Sequence, residues 1–189
     1  MRIGLYGGSF NPPHAAHVMV SKTALRRLAL DRVWWLVSPG NPLKDTNGLP
    51  SAEERVARAR VLIDDPRIVP TAIEGALGSR YTADTIGLLT RRTPGVRFVW
   101  LMGADNLLQF DRWRAWRRIA GSVPMAVFDR PGYSRPALRS RAALALAPYR
   151  IDETDGRILA DLVPPAWIFI HGPLSSLSST ALREKTSRS

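Results

Sequence analysis

The chain has 189 residues and a mass of 20.9 kDa, with 45% hydrophobic and 23% charged residues, which is ordinary globular composition and long enough to bury one sizeable core. Lys and Arg total 27 against 16 Asp and Glu, a formal charge of +11, and Lys22, Lys44 and Lys185 are its only lysines. That balance favours anionic partners without separating nucleotide, nucleic acid and membrane surface. The absence of cysteine excludes a disulfide framework, a thiolate nucleophile and a cysteine-ligated metal site.

Apolar runs of strand length alternate with helix-period segments, the pattern of βαβ units around a parallel sheet. Strands are predicted at Arg2–Tyr6, Arg32–Val37, Arg67–Glu74, Arg97–Met102, Pro124–Phe128 and Ala166–His171. The continuous apolar character of 33–37 and 167–170 suits strands covered on both faces. A first helix is expected over His14–Leu30. A second starts at Ser51 as N-cap, with Glu54 at capping-box spacing, and ends before Pro66. Further helices are expected over Ala83–Arg91, Arg112–Ala120, Pro136–Ala147 and from Ser178 or Ser179 onward. The fold class is therefore α/β, a Rossmann-like doubly wound parallel sheet with helices on both faces, in one domain spanning 1–189. Ligands of such sheets sit beyond the carboxyl ends of the strands, where strand order reverses. The N-terminal apolar stretch is too short for a signal peptide, and no apolar run approaches the roughly 20 residues of a membrane span. A cytoplasmic chain with no membrane partner is expected.

The chemistry concentrates after the first strand, in Gly7-Gly8-Ser9-Phe10-Asn11-Pro12-Pro13-His14-Ala15-Ala16-His17. Two glycines allow a tight turn and close approach to a ligand. The helix that follows offers unpaired N–H groups and a positive dipole end to a phosphate. His14 and His17, three apart in its first turn, can reach one anion. A helix cap or a metal pair is the competing reading of two such histidines, but a zinc site is poorly supplied when His171 is the one histidine left. Near the C-terminus, Ser178-Ser179-Thr180-Ala181-Leu182-Arg183 opens the last helix with hydroxyls and a following cation, either a routine cap or a second anion-binding helix start.

These two segments resemble the signatures of the nucleotidylyltransferase superfamily, a histidine-x-glycine-histidine turn after strand one and a Ser-Ser-Thr-x-x-Arg segment at a late helix. Within it the chain is most similar to the bacterial nicotinate-nucleotide adenylyltransferase family. Asn41-Pro42-Leu43-Lys44, Tyr81-Thr82-Ala83-Asp84-Thr85, Met102-Gly103-Ala104-Asp105-Asn106-Leu107 with Trp113 downstream, and Arg130-Pro131-Gly132-Tyr133 carry that likeness over nearly the whole length. Ala16 stands where the family pattern has glycine, and an ordinary helical backbone would tolerate it. Asn11 stands where aspartate is commoner.

The resemblance implies transfer of the adenylyl group of ATP to nicotinate mononucleotide, giving nicotinate adenine dinucleotide and pyrophosphate. The attacking phosphate is already ionised at neutral pH, so alignment and charge stabilisation matter more than a general base. It implies His14, His17, Lys44 and Arg183 as catalytic residues. Gly7, Gly8, Ser9, Phe10, Ser179 and Thr180 would bind ATP. Asn41, Thr82, Asp105, Trp113, Arg114 and Arg130 would bind the nicotinate nucleotide, with Trp113 stacked on the ring and the main-chain N–H groups around Thr82 and Arg114 on its carboxylate. Mg²⁺ would arrive on substrate phosphates, since no carboxylate cage is legible. Trp113 and Trp116, three apart, could equally be core, Asp105 a helix N-cap and Lys44 a solvated charge. Pantetheine-phosphate or nicotinamide-nucleotide adenylyl transfer is the alternative within the superfamily. A basic nucleic-acid-binding module is the alternative outside it, although no recognition-helix, zinc-finger or RNP signature is present. Homo-oligomerisation stays open.

Overall fold

The computed structural model describes residues 1–39 and 49–172. Six strands, β1 (Arg2–Gly8), β2 (Arg32–Val37), β3 (Ile68–Thr71), β4 (Arg97–Gly103), β5 (Met125–Phe128) and β6 (Trp167–Ile170), form one sheet in the order β3-β2-β1-β4-β5-β6. Every pairing is parallel. The α/β, doubly wound reading is the fold observed.

Period-two alternation sorts the strand side chains into two cores. Ile3, Leu5, Leu36, Phe98, Trp100, Met102, Met125, Val127, Trp167 and Phe169 face one side. Val33, Trp35, Val37, Val99, Leu101, Ala126, Phe128, Ile168 and Ile170 face the other. Both faces are dry, which is why the strands read as unbroken apolar runs rather than as alternating ones.

Helix α1 (Ala15–Arg27) contributes Leu25 and α2 (Ala52–Leu62) contributes Val56 and Ala59 to the second core, together with Leu159 from the 3₁₀ stretch Glu153–Asp161. On the first core lie α4 (Thr82–Arg92) through Ile86 and Leu89, α5 (Ala104–Leu108) through Leu107, and α6 (Trp116–Ser122) through Trp116 and Ile119. The Ser51–Glu54 capping box forms as expected, with Glu54 N–H donating to Ser51 Oγ at 3.1 Å and Ser51 N–H to Glu54 Oε2 at 2.8 Å. The chain leaves α1 before Leu30, turning at Ala29 in the left-handed region (φ 49°).

Three expected elements are shorter or broken. The strand expected over Arg67–Glu74 stops at Thr71, whose Oγ1 accepts the Ile73 N–H at 3.2 Å and starts the short α3 (Ile73–Ala76). Pro70 fits because β3 is an edge strand. The helix expected over Arg112–Ala120 is a 3₁₀ turn, Phe110–Arg112, followed by α6, with Ala115 between them at φ 54°. Trp113 and Trp116 therefore do not share a helix face. The helix expected over Pro136–Ala147 is α7 (Ser134–Leu138) and α8 (Arg141–Ala145), divided where Ser140 Oγ accepts the Ala143 N–H at 3.2 Å as a new N-cap. The helix expected from Ser178 or Ser179 lies outside the described residues.

Candidate active site

In this strand order the chain runs outward from β1 in one direction and from β4 in the other, so the topological switch point lies between their carboxyl ends, at Gly8 and Gly103. His14, His17, Asp105 and Arg130 all follow these ends or that of the neighbouring β5.

Gly7 and Gly8 are still strand residues, and the turn falls two residues after Gly8, at Phe10, which has φ 46°. Gly7 is needed for close approach rather than turning, since a Cβ there would lie 2.5 Å from the Trp100 ring. The Phe10 side chain points into the second core, 1% exposed and stacked on Trp35 with centroids 4.6 Å apart and planes 6° off parallel. Its main chain is the part left for a ligand.

His14 is the N-cap of α1 and His17 its third residue. The two rings are 3.8 Å apart between centroids, and His17 Nδ1 accepts the His14 main-chain N–H at 3.2 Å. A neutral imidazole that accepts at Nδ1 carries its proton on Nε2, so His17 has a donor to offer. Phe10, Trp35 and Tyr6 enclose that ring at 4.9, 5.6 and 6.0 Å. His14 is 5% exposed, and neither of its ring nitrogens has a hydrogen-bond partner among the described residues. Buried polar atoms without partners are rare in folded proteins. Ala16, the second residue of α1, sits in ordinary helix, as expected of an alanine at the family's glycine position.

Burial, with the charge of Arg130 nearby, lowers the His14 imidazole to about 4. Burial, followed by the neighbouring His14 and Arg130, lowers His17 to about 3. Both are neutral at physiological pH. The unfolded chain protonates these rings near 6.5 and the folded one near 4 and 3, so below pH 6.5 the unfolded state binds more protons and stability falls as pH falls. Between pH 7 and 5 the loss is up to about 2 kcal/mol per histidine. Thermal unfolding of wild type against His14→Gln and His17→Gln across that window checks this: the variants should flatten the decline, and parallel curves would refute the assignment.

Asp105 is the second residue of α5, whose N-cap is Gly103, so the carboxylate is not a cap. It pairs with Arg130 Nη1 at 2.5 Å, both side chains about a quarter exposed. A Cβ on Gly103 would collide with Asp105 Oδ1, so this glycine lets the carboxylate fold back. Thr82 opens α4, and Arg114 lies over the ring of its N-cap, Tyr81, at 4.3 Å, a cation–π contact that joins the two segments expected to hold the nicotinate carboxylate. Trp113 is partly buried, edge-on to Trp100 at 6.2 Å and to Phe110 at 5.4 Å, whereas Trp116, 7% exposed, is core. Through Trp100, Trp113 connects to the floor beneath Gly7. Asn41, Lys44, Ser179, Thr180 and Arg183 lie outside the described residues.

Three contributors carry no signal of a site in the sequence. Trp35 walls the His17 ring and donates Nε1–H to Ser21 Oγ at 2.7 Å. Tyr6 stands against Phe10, and burial pushes its phenol up, so it stays protonated. Arg55 holds the Ser9 carbonyl at 2.6 Å. The apolar strand pattern announces Trp35 and Tyr6 as core, but nothing in a run of helical arginines singles out Arg55. Among the described residues no three His, Asp or Glu side chains gather as a metal site, and no helix is long and apolar enough to cross a membrane.

Residues 5–185 match the model of the cytidylyltransferase-like family. The chain belongs to that family. Among cytidylyltransferase-like relatives, a protein of Methylorubrum extorquens named "Probable nicotinate-nucleotide adenylyltransferase" is 61% identical over 98% of this chain and 100% of its own length. A Bradyrhizobium protein of the same name is 60% identical over 97% of this chain and 95% of its own. Nicotinic acid mononucleotide adenylyltransferase of Plasmodium falciparum, solved in complex with NaAD, superposes with a TM-score of 0.70 over 97% of this chain and 82% of its own at 19% identity, a likeness of fold.

Proposed function

We infer that the chain transfers the adenylyl group of ATP to nicotinate mononucleotide, releasing pyrophosphate and nicotinate adenine dinucleotide. It is an adenylyltransferase of NAD biosynthesis. The observation that carries the reaction type is the His14–His17 pair: two neutral, largely buried imidazoles at a helix start on the switch point, one with both nitrogens lacking a partner among the described residues. The acceptor follows from 61% identity over nearly the whole length to a relative of that name.

In this reading His14 and His17 donate to phosphate oxygens as negative charge shifts towards the leaving pyrophosphate, and the α1 N-terminus adds its unpaired N–H groups. Neutral imidazoles suit the task. They stay neutral above about pH 5 with one N–H each to donate, and a triphosphate beside them favours the protonated form as charge builds. Gly7, Gly8, Ser9 and the Phe10 main chain line the triphosphate path, with Lys44, Ser179, Thr180 and Arg183 supplying further contacts. Asp105, oriented by Arg130, binds a substrate hydroxyl. Trp113 stacks on the nicotinate ring, the N–H groups near Thr82 and Arg114 hold its carboxylate, and Asn41 completes that subsite. The Asp105 carboxylate is engaged by Arg130, and His14 and His17 are neutral nitrogen donors, a set that suits Mg²⁺ poorly. The ion would be held by phosphate oxygens and water, where it would neutralise phosphate charge. The cytoplasm is the compartment this substrate pair implies.

Pyrophosphate release with ATP and, separately, nicotinate mononucleotide, nicotinamide mononucleotide and phosphopantetheine tests the reading. A preference for the first is expected, and a preference for phosphopantetheine would sink it. Trp113→Ala should raise KM for the nicotinate nucleotide by roughly five- to twelve-fold, the worth of an aromatic stack of about 1–1.5 kcal/mol, while leaving KM for ATP nearly unchanged. Equal changes in both would remove Trp113 from the acceptor subsite.

A further inference from the structure

Arg55, on the first turns of α2, has no solvent exposure, and no carboxylate lies within ion-pair distance of it among the described residues. Its donors go to main-chain carbonyls of three separate segments instead. Nη1 donates to Ser9 at 2.6 Å, Nη2 to Ser38 at 2.7 Å, and Nε to Pro50 at 2.9 Å and Ser51 at 3.3 Å. Ser38 in turn donates its N–H to the Gly8 carbonyl at 3.0 Å. One guanidinium thus ties the turn after β1, the end of β2 and the start of α2 into a single unit.

Burying a guanidinium without a carboxylate is costly, and apolar replacements of buried charges are often as stable or more so. Stability alone therefore gives a weak reason for an arginine here. Its position gives a stronger one. Ser9 lies between Gly8 and Phe10, and Phe10 forms one wall of the His17 ring at 4.9 Å. Any shift of the Ser9 carbonyl moves that wall and the approach to His14.

We propose that Arg55 is a positioning residue that holds the Ser9 turn in register with the His14–His17 pair. The proposal rests on the adenylyl-transfer reading of that site. The planar fork is what does this, because it fixes three directions at once. A lysine keeps the charge but concentrates its donors at one point on a flexible stem and cannot span the three carbonyls. Misplacement of about 1 Å at such a site costs on the order of 10²-fold in rate.

The test compares Arg55→Lys and Arg55→Ala with Leu159→Ala, a core truncation in the Glu153–Asp161 stretch that holds no site residue. All are assayed with ATP and nicotinate mononucleotide well below their melting temperatures, with folding checked by circular dichroism. Arg55→Lys should lose between about 10- and 100-fold in kcat, while Leu159→Ala, equally or more destabilised, keeps wild-type kcat. Millimolar guanidinium should restore part of the activity of Arg55→Ala, and methylammonium should not. Wild-type kcat and KM in Arg55→Lys, or an equal loss in Leu159→Ala, would overturn the proposal. If Arg55→Ala does not fold, the lysine variant decides alone. A wild-type protein that releases no pyrophosphate from these substrates would instead overturn the functional reading beneath it.

Discussion

His17→Ala should lower turnover by about 10²- to 10³-fold, roughly 3–4 kcal/mol, with a much smaller change in KM for ATP. The ring meets a phosphate whose charge rises during the reaction, so its bond strengthens in the transition state more than in the ground state. Alanine also removes the acceptor of the His14 N–H, an N-cap contact worth about 1 kcal/mol of stability. His17→Asn separates the two effects. Its side-chain oxygen can take the place of Nδ1 and keep the cap, but it brings no donor to the position of Nε2. Asn should therefore recover most of the melting temperature and little of the kcat. Turnover near wild type in both variants would reduce the turn to a binding element.

Phe10→Ala should cost about 3–5 kcal/mol, which for a chain of this size is a fall in melting temperature of roughly 6–20 °C. The side chain is 1% exposed, stacked on Trp35 and edge-on to Tyr6 at 5.7 Å. Alanine opens a cavity in the second core and keeps the strain of a left-handed backbone at φ 46°. Phe10→Gly opens the same cavity but relieves that strain, so it should be more stable than alanine by about 1 kcal/mol, although glycine is ordinarily the worse residue. Calorimetry of both variants checks the order. Glycine falling below alanine would mean that the turn carries no such strain.

The two effects are linked, because Phe10 is both a core residue and a wall of the His17 ring. That double role explains why the segment after β1 is dense in side chains that neither solvent nor helix propensity would select. Tyr6 and Trp35 complete the same socket from β1 and β2, and Arg55 fastens it from α2. The site is built at the strand ends because a doubly covered sheet leaves its edge as the place where the two layers part.

Much of this architecture is legible in the residue order alone. Strand-length apolar runs mark all six strands, since burial on both faces demands them. The Ser51–Glu54 capping box is local chemistry across three residues, and it forms where its spacing places it. The pairing of two glycines with His14 and His17 marks the switch-point turn. Expectation and structure part where one residue's backbone decides an element: Ala115 at φ 54° splits a helix that its side-chain pattern continues, and Ser140 restarts one. Neither residue type announces such a choice, because alanine favours helix and serine caps only when the preceding turn permits it.

Residue order alone carries the layered α/β class, the place of the histidines at a strand-to-helix turn, and the exclusion of thiol chemistry. All three depend on residue type and short spacing. Folding makes both histidines neutral, pairs Asp105 with Arg130 rather than with a helix end, and brings Arg55 to three segments at once. Those outcomes depend on burial and on groups that are far apart in the chain, 25 positions for Asp105 and Arg130 and 46 for Arg55 and the Ser9 carbonyl, and no local pattern records distances that folding alone creates.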